Sequence, residues 1–287
     1  MINEQEYLNI IKETFTEIQI DNFEILGKGL YGVACLVNDN IVFKIPIEHH
    51  EKRNNIKKEI FLLKQLENKL SFEIPRVLYN KESERGIIIG ETLVPGITYS
   101  QELHDSFDPE TKSDILRQLG KIARELHGVK ITDKESVLFV ADYKDSISAF
   151  HKYFSTDVQK CFSEADIKLI NAICDRYEYL STHYPVTNVV VHADLHFGNL
   201  MFDTEKNKII GLIDFGAAHF AEPSRDMHYY YGDGAKDFLD GYGDNSDIYL
   251  PERQKFQAVV NFLSNIGKDI KYNNSPEKNI NKLLGIL

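Results

Sequence analysis

Apolar residues fall in short, strand-length runs through the N-terminal third of the chain and in helical stripes over most of the remainder. Residues 23–26, 33–37 and 41–46 are rich in Val, Ile and Phe and are separated by Gly- and Asn-containing breaks, which predicts strands joined by tight turns. Across 54–70 the apolar positions are Ile56, Ile60, Leu63 and Leu66, the stripe of an amphipathic helix. Another apolar run, 86–94, stops at the Pro95-Gly96 breaker. Beyond it the spacing predicts helices over 108–128, 144–154, 163–183, 224–231, 234–242 and 251–268, interrupted by strand-like runs at 188–191, 200–202 and 209–213. The expected class is α+β, divided into residues 1–94, an antiparallel sheet with a helix, and residues 95–287, a mostly helical part.

Polar residues at the edges of those runs carry the chemistry. Val191-His192-Ala193-Asp194-Leu195-His196-Phe197-Gly198-Asn199 and Ile213-Asp214-Phe215-Gly216 sit at strand ends, separated by the hairpin-like turn 204–208. Adjacent strand ends would bring Asp194, Asn199 and Asp214 together. Mg²⁺ bound with a polyphosphate takes hard oxygen ligands, few of them from protein, which suits Asn199 and Asp214. Asp194 then has the position of a group that orients an attacking hydroxyl and accepts its proton. The spacing Asp-x-x-x-x-Asn followed by Asp-Phe-Gly is that of a kinase catalytic loop and metal loop, and it predicts a two-lobed protein-kinase-like fold. Either piece alone would be weak; an Asp after a strand is often a turn or cap.

Upstream, Gly27, Gly29 and Gly32 form G-x-G-x-x-G. A strand, not a helix, follows, so the loop is expected to cap a hairpin and lie over phosphates through its backbone. Lys44 interrupts an apolar strand, a place where a snorkelling surface Lys is the common explanation. Glu59, however, borders the apolar stripe of the next helix, and a carboxylate facing a core is costly unless paired. Lys44 is the natural partner, and the pair would set the ammonium against the α- and β-phosphates. Residues 91–94, with Glu91, Leu93 and Val94, are assigned to a connector whose backbone would hydrogen-bond a purine.

These motifs, with Leu119-Gly120-Lys121-Ile122-Ala123-Arg124-Glu125-Leu126-His127 and Gly211-Leu212-Ile213-Asp214-Phe215-Gly216-Ala217-Ala218, resemble the aminoglycoside phosphotransferase family over nearly the whole chain. Asp237-Phe238-Leu239-Asp240-Gly241-Tyr242-Gly243 before a long helix looks most like the branch that phosphorylates the 2″-hydroxyl. The resemblance implies ATP or GTP as donor, Asp194 as catalytic base, Asn199 and Asp214 as Mg²⁺ ligands, and Lys44 with Glu59 on phosphate. This chain departs from the family at Ala193, where Gly or Asn is usual, and at Ala217, often acidic in the 2″ branch. Macrolide, choline, homoserine and methylthioribose kinases share the same motifs and stand as alternatives. A non-catalytic nucleotide-binding regulator would be expected to lack a metal ligand or the base, and all are present.

At 287 residues, 43% hydrophobic and 27% charged, the chain can build a substantial core. A net charge of −11 disfavours nucleic acid and favours a cationic small-molecule substrate. Asp233, Asp237 and Asp240, at helical spacing, are candidate substrate carboxylates, although a solvated face has the same pattern; His196 is a weaker candidate. Asp226 is expected to brace the metal loop. Tyr229-Tyr230-Tyr231 reads as core packing more than as a stacking surface, and His127 and His192 as structural hydrogen-bonding residues. Cys35 is placed in a strand and Cys161 and Cys174 in helices, all as buried free thiols. The acidic N-terminus lacks a signal-peptide core and no apolar run has membrane-spanning length, so the expectation is a cytoplasmic monomer without a membrane partner.

Overall fold

The structure is a computed structural model describing residues 3–29, 32–47, 53–133, 139–229, 232–243 and 247–287. In chain order its helices and strands are α1 (Glu4–Thr14), β1 (Phe23–Lys28), β2 (Gly32–Val37), β3 (Ile41–Pro46), α2 (Arg53–Leu66), β4 (Val77–Ser83), β5 (Gly86–Thr92) and β6 (Ile97–Thr98). There follow α3 (Gln101–Ser106), α4 (Pro109–Gly128), α5 (Tyr143–Tyr153), α6 (Thr156–Gln159), α7 (Glu164–His183), β7 (Val189–Val191), β8 (Leu200–Asp203), β9 (Lys208–Leu212), β10 (His219–Ala221), α8 (Asp233–Tyr242), α9 (Leu250–Lys271) and α10 (Glu277–Leu284). They group into two compact units, one of residues 1–100 and 197–218, the other of 101–196 and 219–287.

The first unit is built on a five-stranded sheet in the order β1-β2-β3-β5-β4, with every pairing antiparallel. Strand alternation sorts its faces. Val33, Cys35, Val37, Ile41, Phe43 and Ile45 are buried against Tyr7, Ile11 and Phe15. Helix α1, which the polar N-terminal sequence did not suggest, supplies the first two of these and ends just before the third. The opposite face carries Ala34, Leu36, Val42 and Lys44, all half-buried. That face is only partly covered. Strand β4 was also missed: its run Asn80-Lys81-Glu82 is polar because it is an edge strand. Helix α2 stops short of residue 70, with Asn68 just past its end in the left-handed region at φ 59°. Strands β8 and β9 form the expected hairpin, and β6 adds to the β8 edge.

The second unit is mostly helical. Asp108 caps α4 by accepting from the backbone of Glu110 and Thr111, with Pro109 in the first turn. Ser163 and Asp166 form a capping box on α7, and Asp142 and Asp145 form one on α5. Phe150, Tyr177, Phe256, Val259 and Leu263 centre a core shared by α5, α7 and α9. Helices α4 and α8 cross closely at two glycines: a Cβ on Gly120 would strike the Phe238 carbonyl, and one on Gly241 the Arg117 carbonyl. The helix expected over 224–231 is not formed. Pro223–Asp226 is a short 3₁₀ turn that faces Ser224 and Asp226 inward, and residues 230–231 lie outside the described residues. Cys161 lies in a turn after α6 and is only half-buried, whereas Cys35 and Cys174 are buried as expected. Among the described residues no helix is long and apolar enough to cross a membrane.

Candidate active site

Alternation along β3 places Lys44 on the half-open face of the sheet, opposite Ala34 on one side and Ile89 on the other. Glu59, on the inward edge of α2 and 4% exposed, meets it: Lys44 Nζ lies 2.5 Å from Glu59 Oε1. A second carboxylate arrives from β5, with Glu91 Oε2 3.1 Å from the same ammonium. Burial works against the lysine's charge, but Glu59, Glu91 and then Asp214 outweigh it and push its pKa above the ordinary lysine value. Lys44 is therefore a fixed cation, suited to phosphate oxygens.

The placement of Glu91 corrects its assignment to the connector. It is an interior residue of β5, paired with Val42 and Val77, 1% exposed, with its side chain turned to Lys44. Burial raises its pKa, against the pull of Lys44. The Leu93 side chain is exposed, and its N–H donates to the Asn40 carbonyl at 2.8 Å. Val94 is buried and packs close to Gly211.

Gly27 lies in β1, and the Gly29 N–H donates to the Gly32 carbonyl at 2.9 Å, closing the turn between β1 and β2. A Cβ on Gly32 would come 2.6 Å from the Ile45 carbonyl oxygen, so only glycine fits there. Leu30 and Tyr31 lie outside the described residues.

In the same unit the Ile213 N–H donates to the Asn199 carbonyl at 2.9 Å, drawing the residue before Asp214 onto the 3₁₀ turn that carries Asn199. Asn199 is 7% exposed, and Asp214 sits in the left-handed region at φ 65°, a conformation Asp tolerates. One amide oxygen and one carboxylate are a hard donor pair that fits a magnesium ion completing its shell with phosphate oxygens and water.

The second unit holds Asp194 on a loop whose backbone is pinned by a buried acid. Asp226, 0% exposed, accepts from the N–H groups of His192 at 2.8 Å and Ala193 at 2.5 Å and from His127 Nε2 at 2.9 Å. It braces the loop of Asp194, not the metal loop as expected. Tyr242 holds the other ring nitrogen of His127, at 2.9 Å. Burial alone would raise the Asp226 pKa; the hydrogen bond and charge of His127 and the approach of His192 carry it below the usual carboxylate range.

Ala193 occupies the left-handed region at φ 62°. An alanine there costs roughly 1–2 kcal/mol, part of which glycine would return to unfolded-chain entropy. Ala193→Gly is thus expected to raise stability by up to about 1 kcal/mol, and Ala193→Val to lower it by more than that, as read from urea midpoints.

Asp194 receives the Tyr229 hydroxyl on Oδ1 at 2.9 Å, and His196 Nε2 lies 3.6 Å from Oδ2. Burial would raise its pKa, but His196, Tyr229 and His192 bring it down to about 2. The contact to Tyr229 was not foreseen, because a run of tyrosines reads as packing. Of the acids on α8, Asp237 pairs with Arg117 at 3.2 Å and Asp240 with Lys236 at 2.6 Å; the side chain of Asp233 lies outside the described residues.

A glycine-turn hairpin, a lysine–glutamate ion pair and the loops of Asn199 and Asp214 in the first unit, with the loop of Asp194 in the second, are the parts of a phosphotransferase with a kinase-like fold. Residues 26–254 match the phosphotransferase enzyme family, APH, and the chain belongs to that family. The GDP and kanamycin complex of APH(2")-IIia is similar over 98% of each chain, with a TM-score of 0.81 and 20% identity. Macrolide 2'-phosphotransferase MphH from Brachybacterium faecium is similar over 96% of each chain, with a TM-score of 0.66 and 16% identity. Among curated proteins, acyl-CoA dehydrogenase family member 10 of Mus musculus is 25% identical over 203 residues; the match takes in 66% of this chain and 18% of that longer protein.

Proposed function

We propose that this protein transfers the terminal phosphoryl group of ATP or GTP to a hydroxyl of an aminoglycoside antibiotic, as a cytoplasmic resistance enzyme of the 2″ type. The observation that carries the donor half is the Lys44 ammonium held by Glu59 and Glu91 at the end of the half-open apolar face. A purine stacks on Ala34, Leu36 and Val42, the glycine turn covers the phosphates, and Lys44 takes the α- and β-phosphate oxygens. Asn199 and Asp214 hold Mg²⁺, which neutralises charge on the phosphates when bound. Asp194 orients the acceptor hydroxyl and takes its proton. GDP accompanies kanamycin in the similar complex, which supports a nucleotide donor and a polycationic acceptor.

The acceptor half rests on charge. A net charge of −11 concentrates cations, and the acids of α8 are held by exchangeable partners. The Lys236–Asp240 contact is a surface i,i+4 pair, a kind worth about 0.3–0.5 kcal/mol, so a substrate ammonium can replace Lys236. Arg117, half-exposed, is displaced from Asp237 in the same way, and His196 is the substrate contact nearer the base. An apolar macrolide would gain nothing from these groups.

The test is incubation of the purified protein with kanamycin or gentamicin, Mg²⁺ and either nucleotide, followed by mass spectrometry of the drug. Phosphorylated drug is expected. Absence of product across the aminoglycosides would overturn the antibiotic assignment, and a thermal-shift screen with choline, homoserine, methylthioribose and a macrolide would then identify the substrate class.

A further inference from the structure

We propose that Tyr229 is a positioning residue that fills the hydroxyl site of the catalytic base until an acceptor alcohol replaces it, and so keeps Asp194 from activating water. This rests on the assignment of Asp194 as base. The phenol donates to Asp194 Oδ1 at 2.9 Å, the geometry that an acceptor hydroxyl must adopt to hand over its proton. His196 stands beside the other carboxylate oxygen, 3.6 Å from Oδ2, and its ring meets the edge of the Tyr229 ring at a centroid distance of 5.5 Å. One small cluster therefore contains a base, a neutral hydroxyl already seated on it, and an aromatic wall.

The hydroxyl is a poor competitor for the reaction itself. Burial and the neighbouring Asp194 charge raise its pKa above the usual phenol value, so Tyr229 keeps its proton while bonded to the carboxylate. It is also 39% exposed, at the surface of its unit, where a side chain swings aside without unpacking a core. Its backbone leaves the 3₁₀ turn that carries Asp226, the residue that fixes the loop of Asp194, so base and phenol are anchored to one turn. A polyol acceptor replaces the phenol with a hydroxyl of its own and gains sugar contact with the ring face. Water offers the same single hydrogen bond without that added contact, and must give up bulk solvation to displace the phenol.

The side reaction so suppressed is hydrolysis of the nucleoside triphosphate. Water oxygen bonds to the γ-phosphorus, the bond from that phosphorus to the β,γ-bridging oxygen breaks with its electron pair going to the diphosphate, and the water proton passes to Asp194. Opening Asp194 to water by Tyr229→Phe keeps the ring and removes only the competing hydroxyl. The expected result is a rise of roughly tenfold in acceptor-free ATP or GTP hydrolysis, the loss of one hydrogen bond to a charged group. Asp194→Asn in the same background should return hydrolysis to the wild-type level or below.

A second readout does not involve turnover. In protein labelled with carboxyl-¹³C aspartate, the Asp194 resonance, identified by its absence in Asp194→Asn, should titrate at higher pH in Tyr229→Phe, because a donor that stabilised the charged form has gone. Both changes are required: unchanged hydrolysis or an unchanged titration overturns the role of Tyr229. The kinase assignment fails separately, by wild-type protein whose melting temperature is unmoved by Mg²⁺ with ATP or GTP and which phosphorylates no acceptor. A merely structural tyrosine would lower stability and activity together and would not raise hydrolysis.

Discussion

Asp194→Asn is expected to lower turnover by about 10²–10⁴-fold while leaving the nucleotide-induced rise in melting temperature in place. The two effects separate because the groups proposed to hold the nucleotide and those around the base belong to different parts of the structure. Lys44, Glu59, Glu91, Asn199 and Asp214 all lie in the first compact unit; Asp194, His196, Tyr229 and Asp226 lie in the second. Asparagine is close to isosteric and still accepts the Tyr229 hydroxyl through its carbonyl, so the loop keeps its shape. What it loses is the capacity to receive a proton. The pH dependence follows from the same environment. With its carboxyl brought down to about 2, Asp194 is ionised in the folded protein through the whole range from pH 4 upward. Protonation of this group therefore leaves no mark on the rate profile above pH 4, and an acid limb seen near pH 6 in the wild-type enzyme must belong to another titrating group. A turnover loss of less than tenfold in Asp194→Asn, measured at saturating nucleotide, would remove Asp194 from the role of base.

Much of this site is readable in the chain because its residues break a pattern. Lys44 is a charge in a strand that otherwise reads as apolar, and Glu59 a charge beside a helical apolar stripe; each is explained only by the other, and they lie 2.5 Å apart. Glu91 gives no such signal. It stands at the end of the run Gly86-Ile87-Ile88-Ile89-Gly90, where a polar residue looks like the end of a strand, whereas β5 continues through it and turns its side chain to the lysine. Helix α1 was hidden for a related reason. Tyr7 and Ile11 are too few for a clear stripe, and their burial depends on a sheet formed by residues far along the chain. The turn at Pro223–Asp226 shows the limit of periodicity most plainly. Helical spacing there was fortuitous, because the inward position of Asp226 is set by backbone N–H groups more than thirty residues away, and no local pattern encodes that demand.

Removal of the Asp226 carboxylate is the stability change expected to be largest, about 3–5 kcal/mol for Asp226→Ala. Its two oxygens satisfy the buried N–H of His192, the N–H of Ala193 and the ring of His127. Truncation leaves these three donors facing a cavity, and each orphaned group carries a desolvation cost of about 1–3 kcal/mol that water entry recovers only in part. Asp226→Asn is a sharper probe. Its carbonyl can serve one side of the cluster, but its NH₂ then points a donor at another donor, so it should lose nearly as much although the volume is unchanged. His127 and Asp226 share one network, and a double-mutant cycle with His127→Phe should be strongly non-additive, the second substitution costing less once the first has been made. The pH dependence has a definite sign. A carboxyl whose folded pKa is depressed contributes stability above its unfolded value near 3.8, and that contribution fades as pH falls through the lower folded value. The wild-type advantage over Asp226→Asn in urea midpoint should therefore persist from pH 7 to 5 and shrink below pH 4. Ala193 ties this ledger to catalysis. Its left-handed backbone at φ 62° is strained, and the bond to Asp226 offsets the strain. Once that bond is cut, the loop is free to relax and carry Asp194 away from its partners. Activity in Asp226→Asn should consequently fall even under conditions where the protein remains folded, with the Asp194 resonance titrating nearer the ordinary aspartate value. Full activity in a folded Asp226→Asn protein would show that the base needs no such brace.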